Sequence, residues 1–341
     1  MRLAEYLRAA RGQQLLTPQQ TKRVRADLLA WTDTRLRQGR SVEQLNDELA
    51  ANVLFPDDDI YRSYAGYLER IAEEAIPSAP DLMRINLAVG MTCAFDQTSV
   101  IYRKDRAERI GWINEVDSNG SVAWGVAPIV AGQPDASGKR ILAAGLMHRW
   151  CTSAWGSIEL RIWEMDNKQL RPLLIRGLGA RRDGEMTATI EGQVVTFRYS
   201  TSAPDVTLLV RPAIHRYRIE GNRVTRVPPF AETIIGFVDE WIDLEGDLLR
   251  QTSSREALQA HADAMKWRRN GSGELFQSSR CMGTPALWQV GFKAFDGPEV
   301  RYFLINENGP ANLQMAGFTT QPVRECPVVG VPELTGPLQF H

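Results

Sequence analysis

The sequence predicts an α+β protein, mainly β: a helical N-terminal domain followed by repeated antiparallel β-meanders, irregular propeller-like or sandwich-like, with a two-helix insertion. Three observations predict it. Apolar residues recur at helical spacing up to about residue 80 and at a spacing of two beyond it. Strong turn signals punctuate the second region. One small pattern also occurs four times, an apolar strand ending in an aromatic three residues before a polar turn: Tyr102-Arg-Lys-Asp105, Trp163-Glu-Met-Asp166, Tyr217-Arg-Ile-Glu220 and Phe303-Leu-Ile-Asn306. A three-stranded meander cannot bury its apolar face alone, so such copies must stack on one another, either radially or as two facing sheets.

The helical reading covers residues 1–80. Leu3, Tyr6, Leu7 and Ala10 share a helical face before Gly12. Thr17-Pro-Gln-Gln20 reads as a capping box with proline in the first turn, leading into Val24, Leu28 and Trp31. Ser41-Val-Glu-Gln44 repeats the device before Leu45 and Leu49, and a last helix is expected from about Asp59 to Ala75. Nine basic residues against three acidic stand in 1–40, and ten acidic against two basic in 41–81. These halves are read as facing each other or solvated, since no aromatic ladder accompanies the arginines.

Pro77-Ser-Ala-Pro80 reads as a linker, and residues 81–341 as the β-rich domain. Strands are expected over 83–91, 99–103, 109–116, 141–147, 158–163, 170–176, 186–190, 194–199, 207–210, 214–219 and 223–227, and again over 287–292, 300–305 and 313–319. The turns of successive copies lie 61, 54 and 86 positions apart. The long last interval holds the helical insertion, at about 232–270. Ile234, Phe237, Val238, Trp241 and Ile242 form its first apolar face. Ser253-Ser-Arg-Glu256 is read as a capping box for a helix with Leu258, Ala262 and Met265 inward. The Pro- and Gly-rich tail after Pro322 is expected on the surface.

Composition excludes several classes. With 43% hydrophobic and 24% charged residues the chain is of ordinary globular kind, and a net charge of −1 supplies no field to attract nucleic acid. Uncharged stretches such as Ile85 to Phe95 are far shorter than the roughly 20 residues of a membrane span. Arg2, Glu5, Arg8 and Arg11 stand where a signal peptide needs an apolar run. The location is therefore expected to be cytoplasmic by default, and extracytoplasmic if a signal has been removed and the cysteines are bridged. Cys93, Cys151, Cys281 and Cys326 are read as separate buried thiols for that reason. The alternative pairs Cys93 with Cys151 and Cys281 with Cys326, which closes the shorter loops.

Catalytic signatures are not found. His148, His215, His261 and His341 stand outside any metal-ligand spacing, so no metal and no cofactor are expected. Gly177-Leu-Gly-Ala-Arg-Arg-Asp-Gly184 resembles a phosphate loop in composition only. A strand pattern follows it where a helix N-terminus is needed, so it is read as a strand-connecting loop. Ser153 lacks the first glycine of a nucleophile elbow. The most unusual segment is His148-Arg149-Trp150-Cys-Thr-Ser-Ala-Trp155-Gly156, where His148, Arg149, Trp150 and Trp155 are the candidate ligand contacts: rings to stack, polar groups to orient. Against that stands a structural role for both tryptophans as plugs of the β core. The leading expectation is thus a binding or interaction protein whose partner is a small molecule, glycan or protein. The alternative is a hydrolase of glycans or peptides with carboxylates converging from different repeats. A third reading makes the helical region a docking arm.

Overall fold

The computed structural model describes residues 18–52, 68, 70–91, 94–114, 123–126, 129–149, 155–166, 169–182, 186–202, 210–270, 273–282, 284, 286–294, 299–309 and 312–326. Four antiparallel four-stranded sheets follow one another along the chain. The first is β1 (Ala72–Ala75), β2 (Leu82–Met91), β3 (Ala94–Arg103) and β4 (Glu108–Asn114). The second is β5 (Ala123–Val126), β7 (Arg140–Arg149), β8 (Trp155–Met165) and β9 (Leu170–Arg182), with the two-residue β6 (Val130–Ala131) also paired to β7. The third runs β10 (Met186–Glu191), β11 (Val194–Ser202), β12 (Val210–Glu220) and β13 (Arg223–Arg226), and the fourth β14 (Gly273–Arg280), β15 (Leu287–Ala294), β16 (Val300–Glu307) and β17 (Leu313–Thr319).

The fourfold aromatic pattern has a structural meaning. Tyr102, Trp163, Tyr217 and Phe303 all lie on the third strand of their sheets, just before the hairpin to the fourth, and all are buried. The meanders have four strands, however, one more than the sequence predicts. Two of their tight turns depend on glycine. Gly192 and Gly221 have φ of +58° and +61° with nothing within 4 Å of an added Cβ, so the backbone conformation and not space excludes other residues.

Two compact units make up the chain, Met1–Phe197 with Arg218–Val224, and Arg198–Tyr217 with Thr225–His341. In the first, α1 (Pro18–Arg37) and α2 (Val42–Asn52) put Val24, Leu28, Leu36, Leu45 and Leu49 into one cluster with Ile85, Leu87, Val100 and Tyr102 of β2 and β3. A separate helical N-terminal domain is therefore not evident, because these helices have no core of their own. The Tyr102 hydroxyl donates to Asp33 Oδ1 of α1 at 2.8 Å, and Arg109 of β4 pairs with Oδ2 at 3.1 Å. Burial, with Asp33 adding to it, pushes the Tyr102 phenol well above its ordinary pKa, so it serves as a donor. The expected capping box at Ser41 is present in both directions, Gln44 N to Ser41 Oγ and Ser41 N to Gln44 Oε1. Arg35 and Arg40 both reach Glu48, a contact between the basic and acidic halves.

The helix expected over 59–75 is corrected at its end: 72–75 is the strand β1. Residues 59–67, like the Thr17 box, lie outside the described residues. What holds the entry to β1 is Asn46 on α2, whose amide donates to Ile71 O at 3.0 Å while its oxygen accepts from Ile71 N at 2.8 Å. Asn46→Ala leaves both backbone groups without that partner. It is expected to lower stability by about 1–2 kcal/mol, with Asn46→Asp intermediate, as read from urea midpoints.

In the second unit, α3 (Ile234–Ile242), α4 (Gly246–Gln251) and α5 (Arg255–Asn270) fill the predicted insertion, three helices where two are expected. Phe237, Val238, Trp241 and Ile242 pack with Val290, Phe292, Phe303 and Met315 of the fourth sheet. Two details of α5 differ from expectation. Its N-cap is Ser254, which accepts from Ala257 N at 3.1 Å, while Ser253 Oγ accepts from the buried Trp241 indole at 2.8 Å. Its buried face carries Ala257 and Ala264, whereas Ala262 is exposed, because small residues let α5 approach that core. Cys281 and Cys326, both buried, are joined by a disulfide, which overturns the reading of four separate thiols. Cys93 and Cys151 lie outside the described residues.

Candidate functional site

The predicted contact loop is shorter than expected. His148 and Arg149 are the last residues of β7, opposite Ser157 and Gly156, and Trp155 opens β8, so 148–156 is a β-hairpin whose connection is 150–154. Of His148, Arg149 and Trp155 only the backbone is described. Trp150 and Cys151 lie outside the described residues. The glycine-rich run is corrected as well: Gly177–Arg182 belongs to β9, paired with Trp155–Glu159 of β8.

The first sheet holds a polar cluster that sequence reasoning missed. Glu74 lies on β1, opposite Arg84 on β2, and its side chain is 48% exposed. Behind it Arg84, Asn86 and Ser99 are buried. Arg84 Nη1 donates to Glu74 Oε2 at 2.8 Å and Asn86 Nδ2 to Oε1 at 2.7 Å, so each carboxylate oxygen has its own donor. Arg84 Nε donates to Ser99 Oγ at 3.0 Å, and that hydroxyl donates to Asn86 Oδ1 at 2.9 Å, which closes the ring of contacts. The strand pairing explains the convergence. Ala72 faces Asn86, Glu74 faces Arg84 and Asn86 faces Ser99, and a period of two brings alternate residues to one face. Nothing in Ala-Glu-Glu-Ala signals a strand, and both residue types are strong helix formers.

This arrangement differs from an ordinary surface ion pair. Burying a guanidinium costs several kcal/mol, and an exposed carboxylate returns only part of it. A carboxylate fixed on both oxygens and still open to solvent is instead pre-oriented to accept hydrogen bonds from something outside.

Two other clusters have the marks of packing. Glu240 on α3 accepts from Arg226 of β13 at 2.7 Å and stands 3.5 Å from His215 Nε2, whose Nδ1 is 3.1 Å from the Tyr217 hydroxyl. All four are buried. On the fourth sheet Arg280 lies over the Trp288 ring, 5.0 Å from its centroid, and Glu307 accepts from both. The Trp288 indole, then Arg280, holds the Glu307 carboxyl below its usual range. Here the aromatic face is already covered. Among the described residues no three His, Cys, Asp or Glu side chains could hold a metal ion, and no helix is long and apolar enough to cross a membrane.

No protein-family model matches the chain, and no curated protein matches it significantly. Solved structures similar to it include a glycosyl hydrolase from Bacteroides ovatus, at 12% identity over 77% of this chain and 72% of that one, TM-score 0.26. Another is the GH93 alpha-L-arabinofuranosidase of Fusarium graminearum in complex with arabinobiose, at 8% identity over 69% of this chain and 62% of that one, TM-score 0.27. At such TM-scores neither likeness carries weight for the fold or chemistry of this chain.

Proposed function

We propose that the protein binds a glycan on the exposed side of β1, with Glu74 as the anchoring acceptor. The observation that carries this is the clamp of buried Arg84 and Asn86 on the two oxygens of an exposed carboxylate. Hydroxyl groups are the natural complement, because a carboxylate with both oxygens already oriented can accept two adjacent O–H donors without losing further freedom. His148, Arg149, Trp150 and Trp155 are kept as proposed additional contacts. A propeller-like stacking of the sheets is the packing this reading adopts, supported by their common strand order and aromatic position.

A second reading, hydrolysis of that glycan, is favoured by the depth of support behind Glu74. Arg84 and Asn86 are both fixed by Ser99, and a reacting carboxylate needs its orientation set in this way. One experiment addresses both. Oligosaccharides, arabinobiose among them, are titrated against the protein and against Glu74→Gln, and reducing ends are measured after incubation. Glu74→Gln is expected to weaken binding by about 10- to 100-fold, the difference between a charge-assisted and a neutral acceptor. Turnover lost in this variant supports the hydrolase, and binding without turnover supports the module. Equal affinity of both proteins sinks the proposal.

A further inference from the structure

Resting on that reading, we infer that the ligand class is neutral glycans, with neither amino sugars nor acidic sugars preferred. The inference comes from the charge behind the acceptor. Arg84 is one of the few buried cations of the described residues, and its Nη1 lies 2.8 Å from Glu74 Oε2. At that distance the guanidinium and carboxylate form a neutral pair, and what reaches a ligand is the short-range field of a dipole. An ammonium drawn to Glu74 meets Arg84 a few ångströms behind it, and it must shed a tightly held hydration shell to come close. It therefore gains little over a hydroxyl, which donates the same hydrogen bond at far lower desolvation cost. An acidic sugar is excluded more simply, since Glu74 stands in front of Arg84 and meets it first.

The remaining contacts support the same assignment. Asn86 and Ser99 are uncharged, and they use each other and Arg84 to complete the ring, so the support behind Glu74 holds one positive charge against one negative. Charge balance there is local and does not depend on the nearly neutral chain as a whole. Specificity at Glu74 should therefore follow hydroxyl geometry, and affinity should not follow ionic strength.

The experiment is a glycan array of neutral, amino and acidic oligosaccharides, read with wild-type protein in about 20 mM and about 500 mM salt, conditions that bracket the screening of exposed charges. Neutral glycans are expected to bind best, with signals changing less than about threefold between the two salts. Amino sugars bound tenfold or more tightly, and released by salt, overturn the inference while leaving glycan binding by Glu74 intact. Failure to bind any glycan overturns the proposed function itself. Arg84→Met supplies an independent arm: Glu74 then stands as an uncompensated anion, and the array is expected to shift toward amino sugars in a salt-dependent way. An unshifted array from a folded Arg84→Met protein counts against the charge argument. Should that variant fail to fold, the wild-type salt comparison decides alone.

Discussion

Arg226→Ala is expected to cost the second unit about 3–5 kcal/mol, one of the two largest effects anticipated for any change in this chain. Its Nη2 donates to Glu240 Oε2 at 2.7 Å, and the two side chains are only 4% and 8% exposed. Removing the cation leaves a carboxylate in a site with little water, next to Tyr217 and a histidine that is charged only when protonated. The cost measures the orphaned charge and not the worth of the pair. That distinction gives the test its second half. Replacing both residues by methionine removes the charge and its counter-charge together and keeps much of the volume. The double variant is expected to be within about 1 kcal/mol of the parent, or more stable. Urea midpoints for the two singles and the double close a mutant cycle. A double variant as unstable as Arg226→Ala shows that the site needs its hydrogen bonds, the one from Arg226 to Phe230 O included, and not merely charge balance.

The cluster also shows what the sequence could have told. Two residues before each recurring aromatic stand Val100, Arg161, His215 and Arg301, and four before stand Thr98, Glu159, Ala213 and Glu299. In β8, Arg161 pairs with Glu159, and Arg301 at the start of β16 pairs with Glu299. Glu-x-Arg-x-aromatic was thus a second layer of the repeat, open to inspection beforehand. In the third sheet alanine replaces the glutamate, and the carboxylate facing His215 comes from α3, a substitution no periodicity could reveal.

The strands that escaped prediction have one property in common. β1, β5 and β14 each open a sheet, and their sequences, Ala-Glu-Glu-Ala, Ala-Trp-Gly-Val and Gly-Glu-Leu-Phe-Gln-Ser-Ser-Arg, lack clean alternation. Their conformation is imposed by the neighbouring strand, whereas second and third strands such as β3 and β8 carry the apolar pattern themselves. Glu74 was hidden for the same reason. A carboxylate in an Ala-Glu helix pattern points to solvent and means nothing, while the same residue opposite Arg84 becomes a site.

Opening the Cys281–Cys326 bridge is expected to cost about 4 kcal/mol, the loop-closure estimate for a span of 45 residues. Sequence separation alone could not identify this pair, since folding is what brings the two Cα atoms to 4.0 Å. The bridge does not act alone. Met282 N donates to Glu325 O at 3.0 Å, and Val323 N to Gln289 Oε1 at 2.7 Å, so the segment after β17 is stitched to β14 and β15 on both sides of the sulfurs. If those hydrogen bonds keep the segment docked after reduction, the loss falls toward about 2 kcal/mol, the low end for such cross-links. Urea unfolding with and without dithiothreitol reads the loss, and Cys281→Ala with Cys326→Ala should reproduce it and then show no further response at these positions. A loss below about 0.5 kcal/mol indicates that the unfolded chain is already confined by other means. The size of the loss also bears on location: a reducing compartment withholds this stabilisation and an oxidising one supplies it, so the redox state of this pair in cells tells which stability the protein works at.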